Sequence, residues 1–288
     1  MNQAITRMLE RYECRSVNEY TRALREILQE VALLGLWRAK FFQKTAFYGG
    51  TSLRILYGLD RFSEDLDFTL LAPDPRFNIG GYLELLEREV RSYGFEVSAS
   101  KREKQTGSAI QSAFLKADTL KLLLTIRPEE DSFRKVPRGQ AIKIRFEVDT
   151  NPPPAFDTET RFLLQPVPFS VRSVVLPDLF ASKMHAVLCR RWKGRVKGRD
   201  WYDLVWYVAN HPQLHLLHLQ ERMIQSGDWP GKDTLSADRF VTLLTAAIRK
   251  LNVAQARREV EPFVKDPGSL AVWSTDFFLS LVPRIILT

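Results

Sequence analysis

The stretch that most constrains the fold is a turn of small residues followed, after a short gap, by a strand with two carboxylates. The turn is Tyr48-Gly49-Gly50-Thr51-Ser52, and the strand is Ser63-Glu64-Asp65-Leu66-Asp67-Phe68. Side chains alternate faces along a strand, so Asp65 and Asp67 lie on one face while Leu66 and Phe68 point into a core. A short helix is predicted from Ser52 to Tyr57.

The two aspartates and the glycines together indicate a nucleotide and metal site. Two neighbouring carboxylates repel, and one is expected to hold a proton unless a cation lies between them. Mg²⁺ binds through one or two carboxylates together with substrate phosphates. Gly49 and Gly50 allow the backbone to approach a ligand closely, and Thr51 or Ser52 can cap a helix whose N–H groups face an anion.

The run from Gly49 to Phe68 closely resembles the first motif of the AbiEii/AbiGii-type toxin nucleotidyltransferases, which belong to the DNA polymerase β-like nucleotidyltransferase superfamily. The motifs that carry the resemblance extend from about Phe47 to Leu204. It implies an α/β (α+β) nucleotidyltransferase core with a mixed β-sheet, followed by a helical C-terminal domain. It also implies that Asp65 and Asp67 are catalytic metal ligands. The implied nucleotide-binding residues are Gly49, Gly50, Thr51, Ser52, Ser63 and Lys183.

A second predicted strand, Ala141 to Asp149, offers a third carboxylate. Its apolar residues occupy alternate positions, its charged residues occupy the others, and three prolines end it at 152–154. In the superfamily such a strand places a further acid beside the first two. Both Glu147 and Asp149 lie on the polar face, and we favour Glu147 while leaving both open.

From Pro177 the pattern becomes helical, and we place a domain boundary there, giving domains 1–176 and 177–288 with the active site between them. Lys183 lies within an apolar run and needs an anionic partner. Lys183 and the later Arg199-Asp200-x-x-Asp203 segment resemble further family motifs, in which the lysine contacts nucleotide phosphates. Asp200 and Asp203 share a helix face and would orient the lysine or complete the pocket.

The densest positive stretch, which we call the basic segment, comprises residues 190–199. Basic residues interleaved with aromatic ones suit phosphate contacts and base stacking on RNA, although a solvated loop is the simpler alternative. The net charge of +8 and the pI near 9.5 also favour a polyanionic partner. The predicted RNA-binding residues are Arg190, Arg191, Lys193, Arg195, Lys197 and Arg199.

Composition indicates a globular cytoplasmic protein. The sequence lacks a run of 18 apolar residues, and its first ten residues lack the apolar region of a secretory signal. Cys14 and Cys189 are too few for a disulfide framework or a zinc cluster, and we expect buried free thiols. The histidine run His211 to His218 contains Pro212 and lacks matching acidic or cysteine ligands, so we do not expect it to bind a metal.

These features predict a Mg²⁺-dependent enzyme that transfers a nucleoside monophosphate from an NTP to an acceptor hydroxyl and releases pyrophosphate. The resemblance implies a toxin whose acceptor is RNA, expected to be the 3′ end of tRNA, so that translation stops. It also implies a separate cognate antitoxin protein as partner. Two alternatives remain open: a nucleotidyltransferase that modifies a protein or small molecule, and a non-catalytic nucleic-acid-binding protein.

Overall fold

The computed structural model describes residues 3–102, 109–118, 140–191, 195–231 and 233–288. These residues confirm the predicted mixed α/β fold with a mixed sheet. The chain divides into two compact units. The first is Met1–Leu56, Glu64–Pro152 and Thr160–Ser173, and the second is Tyr57–Ser63, Pro153–Glu159 and Val174–Thr288. Two short segments that precede Pro177 thus belong to the second unit, and a single boundary at Pro177 would assign them to the first. The domain boundary at Pro177 stays a prediction.

The regular elements are numbered here in chain order. The helices are α1 (Gln3–Glu10), α2 (Val17–Arg38), α3 (Gly49–Tyr57), α4 (Gly80–Ser92), α5 (Leu176–Cys189), α6 (Gly198–Asn210), α7 (Leu216–Ser226), α8 (Ala237–Lys250), α9 (Val253–Val260) and α10 (Thr275–Leu281). The strands are β1 (Thr45–Tyr48), β2 (Leu66–Leu70), β3 (Val97–Arg102), β4 (Ile110–Asp118), β5 (Ala141–Asp149), β6 (Thr158–Leu163), β7 (Phe169–Val174), β8 (Gln213–Leu214) and β9 (Ile286–Leu287).

Among the described residues, the main sheet has seven strands in the order β3-β4-β5-β2-β1-β7-β6. Strand β2 is central, because it pairs antiparallel with β1 and parallel with β5. The predicted alternation in β2 is confirmed, since Leu66 and Phe68 are both fully buried. The alternation in β5 is also confirmed, and its bounds agree with those predicted. The sequence of residues 109–126 predicts a strand, with a helix as the alternative at 120–124. The structure has β4 over 110–118, and residues 120–124 lie outside the described part.

Helix α2 covers the sheet of the first unit. It begins with a capping box in which the Ser16 side chain accepts from the Glu19 backbone N–H and the Glu19 carboxylate accepts from the Ser16 N–H. Its apolar residues pack against α4 and β5. Gly35 lies where α2 crosses α4, and a Cβ there would be 3.3 Å from the Leu86 Cα. The small residue therefore permits the close approach of the two helices.

Helix α5 organises the second unit. Pro177 lies in its first turn, as predicted, where a missing N–H costs no hydrogen bond. Asp178 is buried, accepts a 2.7 Å hydrogen bond from the Asp157 backbone N–H, and contacts His215 Nδ1. The rings of Phe180 on α5 and Tyr207 on α6 stack at 4.3 Å. The first turn of α5 is thus fixed by a carboxylate and its middle by aromatic packing.

The sequence pattern predicts a helix from about Pro212 to Gln225, but the helix in the structure begins four residues later, at Leu216. The preceding residues form β8, which pairs in parallel with β9 near the end of the chain. A pairing partner about 70 residues away leaves no local pattern, so the prediction of the helix start was wrong. In the described part of the chain, we find no helix that combines the length and apolar character needed to cross a bilayer.

Candidate active site

Three carboxylates lie at one end of the main sheet. Asp67 is the second residue of β2, and its register partners are Tyr48 on β1 and Glu147 on β5. Asp65 directly precedes β2. Because β2 and β5 are parallel, side chains opposite each other in the register share a face of the sheet. The structure therefore brings together Asp65, Asp67 and Glu147.

Asp149 lies further along the sheet than Glu147. Its register partner on β2 is Thr69, and its Oδ1 accepts a 3.0 Å hydrogen bond from the Asn151 backbone N–H. Glu147 is instead opposite Asp67 and accepts a 3.3 Å hydrogen bond from Ser112 Oγ. Of the two candidates for a third carboxylate, the register thus places Glu147 beside the aspartates.

Arg145 bridges two of these acids. Its Nη2 lies 2.6 Å from Asp65 Oδ2, and its Nη1 lies 3.2 Å from Glu147 Oε1. The hydrogen bond to Asp65 raises the pKa of Arg145, partial burial opposes that rise, and the charges of Asp65, Glu147 and Asp67 add to it. Sequence reasoning placed Arg145 on the polar strand face but assigned it no role, although its position two residues before Glu147 could have identified it.

The donor set at this end of the sheet fits a hard divalent cation, because Mg²⁺ prefers carboxylate oxygens. In the described part of the chain, however, the oxygen atoms of these three carboxylates do not all lie within 4.8 Å of one another. The Arg145 guanidinium contacts both Asp65 and Glu147. Arg145 is thus the counter-charge in this structure, and it would have to share or release Asp65 when a cation binds.

Gly49 is the first residue of α3 and lies beside Asp67. Both its backbone conformation and its close contact with Asp67 require a glycine here. Its φ is +82°, which L side chains rarely adopt. A Cβ at Gly49 would lie 2.7 Å from Asp67 Oδ2 and 3.2 Å from Asp67 Cβ. The absence of a side chain at Gly49 therefore lets the turn lie directly against the Asp67 carboxylate.

Thr51 and Ser52 are buried in α3, and their hydroxyls donate within the protein. The Thr51 hydroxyl donates to the backbone carbonyl of Asp65, and Ser52 Oγ donates to the Gly49 carbonyl at 2.9 Å. The Thr51 contact ties α3 to the residue that precedes β2. Gly50, in the first turn, is half-buried. A ligand near this turn would therefore meet backbone rather than the two hydroxyls.

Two ion pairs from α2 hold the segments that carry the site. Arg25 Nη1 lies 2.6 Å from Glu64 Oε1, next to Asp65. Glu26 Oε2 lies 2.6 Å from Arg54 Nε on α3, and both side chains are largely buried. Adjacent residues of one long helix thus fix both the acidic strand entry and the helix that follows the glycine turn.

In the second unit, Lys183 belongs to a compact charge network. Its Nζ lies 2.6 Å from Asp200 Oδ1 and 2.8 Å from Asp203 Oδ2. The Arg61 guanidinium donates twice to Asp203, from Nε at 2.6 Å and from Nη2 at 2.7 Å. The structure therefore brings together Lys183, Asp200 and Asp203, as the spacing of the aspartates on one helix face suggested.

The charges in this network are mutually compensated. Burial opposes the charge on Lys183, but the Asp200 and Asp203 carboxylates outweigh it and raise the pKa of the lysine. Burial likewise opposes the charge on Asp203, and Arg61 and Lys183 outweigh it and lower the pKa of that carboxyl. Arg61 was missed by sequence reasoning, because nothing in the local pattern distinguishes a buried arginine from an exposed one.

The predicted RNA-binding residues differ in exposure. Arg199 is half-buried, with its Nε 3.6 Å from Glu259 Oε1 and its guanidinium 4.2 Å from the centre of the Phe263 ring. Lys197 is half-buried as well, and Lys193 lies outside the described residues. The exposed members are Arg190, Arg191 and Arg195. Ser63, predicted to bind nucleotide, is half-buried and belongs to the second unit.

Comparisons with known proteins add a family match. The model of the family described as "Nucleotidyl transferase AbiEii toxin, Type IV TA system" matches residues 31–280. A crystal structure described as that of a proposed nucleotidyltransferase from H. pylori is 16% identical, with a TM-score of 0.46 over 91% of this chain and 92% of that one. The structure of JHP933 from Helicobacter pylori is 15% identical, with a TM-score of 0.45 over 92% and 91%. A search of curated proteins finds no match.

The buried network predicts a large stability cost for Asp203→Ala. The substitution leaves the Arg61 guanidinium buried without its bidentate partner, and removing one member of a buried pair costs about 3–5 kcal/mol. Urea denaturation of the purified chain measures this loss in the free energy of unfolding. The control is Glu84→Ala, which breaks the exposed ion pair with Arg88 and should change little. An Asp203→Ala protein within about 1 kcal/mol of wild type would contradict the assigned network.

Proposed function

This chain belongs to the AbiEii family of nucleotidyl transferase toxins of type IV toxin–antitoxin systems, and we propose that it transfers a nucleoside monophosphate from an NTP to RNA, with the 3′ end of tRNA as acceptor. The observation that carries the proposal is the strand register that sets Asp67 opposite Glu147, with Asp65 two residues before Asp67. Arg145 offsets only part of the negative charge of the three acids beside the glycine turn, and the remaining repulsion favours a bound cation.

Asp65 and Asp67 are the residues that would hold Mg²⁺, which when bound supplies positive charge to the phosphates. The acceptor hydroxyl forms a bond to the α-phosphorus of the NTP as the bond to the β-phosphate oxygen breaks. Pyrophosphate leaves, and the hydroxyl proton passes to a carboxylate, for which Glu147 is the candidate. Gly49 and Gly50 present backbone in the first turn of α3, where N–H groups suit phosphate oxygens.

Lys183 is proposed to offset phosphate charge. The carboxylates of Asp200 and Asp203 keep it protonated and fix its position, since both lie within 2.8 Å of its Nζ. Lys183 retains partial exposure, with 14% of its side chain accessible. Asp200 and Asp203 therefore act as positioning residues for this lysine.

The choice of RNA as acceptor is supported by charge. The protein carries a net charge of +8, and the exposed arginines of the basic segment can contact phosphates. Modification of tRNA would block translation, and a separate antitoxin protein would be needed to restrain the toxin. We place this reaction in the cytoplasm, where NTPs and tRNA are abundant.

Asp67→Asn should abolish transfer while preserving the fold. Removing a residue that only orients a metal ligand typically lowers metal affinity or activity about 10–100-fold. Loss of a ligand itself should therefore reduce the transfer rate by more than about 100-fold. The assay incubates purified protein with labelled NTPs, Mg²⁺ and total tRNA, and counts label in RNA. Glu84→Gln, at an exposed site, is the control. Transfer by Asp67→Asn at the wild-type rate would exclude the proposed site, and a wild-type protein that labels no RNA would exclude the RNA acceptor.

Neutralising the exposed part of the basic segment tests whether this segment contacts the RNA acceptor. The triple substitution of Arg190, Arg191 and Arg195 to alanine should raise the KM for tRNA without changing the KM for NTP. The slope of log affinity against log salt should fall by about 2, since each contact to single-stranded phosphate contributes about 0.7. The matched control replaces three exposed basic residues of α8, Arg239, Arg249 and Lys250, with alanine. Equal tRNA kinetics in both triple variants would exclude the exposed basic segment as a contact for the RNA.

A further inference from the structure

Three ligand-type side chains that the proposed reaction does not use converge in the second unit. His185 and Cys189 lie four residues apart on α5, so they share a helix face. Asp228 follows Gly227, which ends α7 with a φ of +77°. One ligand atom from each residue lies within 4.8 Å of the other two. We propose that His185, Cys189 and Asp228 form a Zn²⁺ site.

The donor set selects the metal. A thiolate, an imidazole and a carboxylate are the ligands that Zn²⁺ takes in proteins, whereas Mg²⁺ and Ca²⁺ take oxygen alone. Three protein ligands leave a fourth tetrahedral position for water. On binding, the Cys189 thiol releases its proton to solvent as the sulfur–zinc bond forms. The thiolate and the carboxylate then balance the two positive charges of the ion.

The ligands are already held near their binding positions. The Ser226 hydroxyl lies 2.9 Å from His185 Nε2 and 2.7 Å from Asp228 Oδ2, so it orients both. The Asp228 backbone N–H donates to the Met223 carbonyl at 2.9 Å. Helices α5 and α7 also pack against each other. Packing and a helix-end turn thus fix the backbone positions of the ligand residues.

The positive charges of nearby arginines repel a cation, so a metal ion bound here needs two anionic ligands. Arg190 and Arg222 act electrostatically on His185. Arg191 Nη2 lies 3.9 Å from Asp228 Oδ1, and 93% of the Arg191 side chain is exposed, so this arginine can turn away into solvent. The bound ion would join the C-terminal end of α5, where the basic segment begins, to the end of α7.

Cysteine number alone argued against a zinc cluster, because sequence reasoning looked for several cysteines. The site instead combines one cysteine with a histidine of the same helix and an aspartate about 40 residues further along the chain. Cys189 is partly buried rather than fully buried as expected, and it forms no disulfide.

The test uses the full chain, freed of metal by dialysis against a chelator, and Co²⁺ as a spectroscopic substitute for Zn²⁺. We expect a near-ultraviolet thiolate-to-cobalt absorption band that saturates at one Co²⁺ per chain and disappears when Zn²⁺ is added. Cys189→Ser should abolish the band, and Asp228→Asn should weaken it. Cys14→Ser is the matched control and should retain it. Asp67→Asn should retain it as well, which separates this site from the acids of the proposed reaction.

Melting temperature supplies an independent readout. Zn²⁺ should raise the melting temperature of wild type and Cys14→Ser but not of Cys189→Ser. If Cys189→Ser has a lower metal-free melting temperature than wild type, His185→Gln replaces it as the ligand variant, with the same expected result. Absence of the band in folded wild-type protein, or its persistence in the ligand variants, would overturn the zinc site.

Discussion

Repulsion among carboxylates at one end of the main sheet is the constraint on which the first unit depends. The register of β2 and β5 sets Asp67 beside Glu147, and Asp65 lies on the same face two residues earlier. Arg145 offsets this charge by contacting Asp65 and Glu147. Helix α2 holds the flanking segments through Arg25 and Glu26. A long buried helix and a central strand thus stabilise an arrangement that would be unfavourable without them.

The second unit handles charge in a different way. Two cations, Arg61 and Lys183, are matched by Asp200 and Asp203 within hydrogen-bonding distance. Burying such groups is costly and contributes little net stability, so the gain is in fixed geometry rather than in free energy. A lysine held by two carboxylates has a defined position and a secured charge. Those are the properties that a phosphate-binding side chain requires.

Much of the fold could be predicted from local periodicity. The alternation in β5 and the apolar spacing of α2 identify their elements, because burial on one face dictates the residues there. The start of α7 could not be predicted, since β8 depends on a partner strand at the end of the chain. Long-range pairing leaves no trace in a local window, and tertiary contacts then override the helical pattern.

The residue types of the candidate site could be predicted from the sequence, but which residues lie opposite each other on neighbouring strands could not. The sequence identified Asp65 and Asp67 and narrowed the third acid to two residues on one strand face. Only the register separates Glu147 from Asp149, because both positions have the same parity. The cations Arg61 and Arg145 were missed for the same reason. A charged residue shows its role by its neighbours in space, and these come from other strands and helices.

The central claim is that the bare backbone at Gly49 and the Asp67 carboxylate form one site for a divalent cation and a nucleotide. The most direct measurement is Mn²⁺ binding in the presence of a non-hydrolysable NTP, compared between Gly49→Ala and Gly58→Ala. Both glycines flank α3 with φ near +80°, but a Cβ at Gly58 meets nothing within 4 Å, whereas one at Gly49 meets Asp67. Backbone strain should cost each variant about 1–2 kcal/mol of stability, and the contact with Asp67 should add to that loss in Gly49→Ala alone. Only Gly49→Ala should lose Mn²⁺ affinity, by about tenfold or more. Equal Mn²⁺ affinity in the two variants would contradict the account.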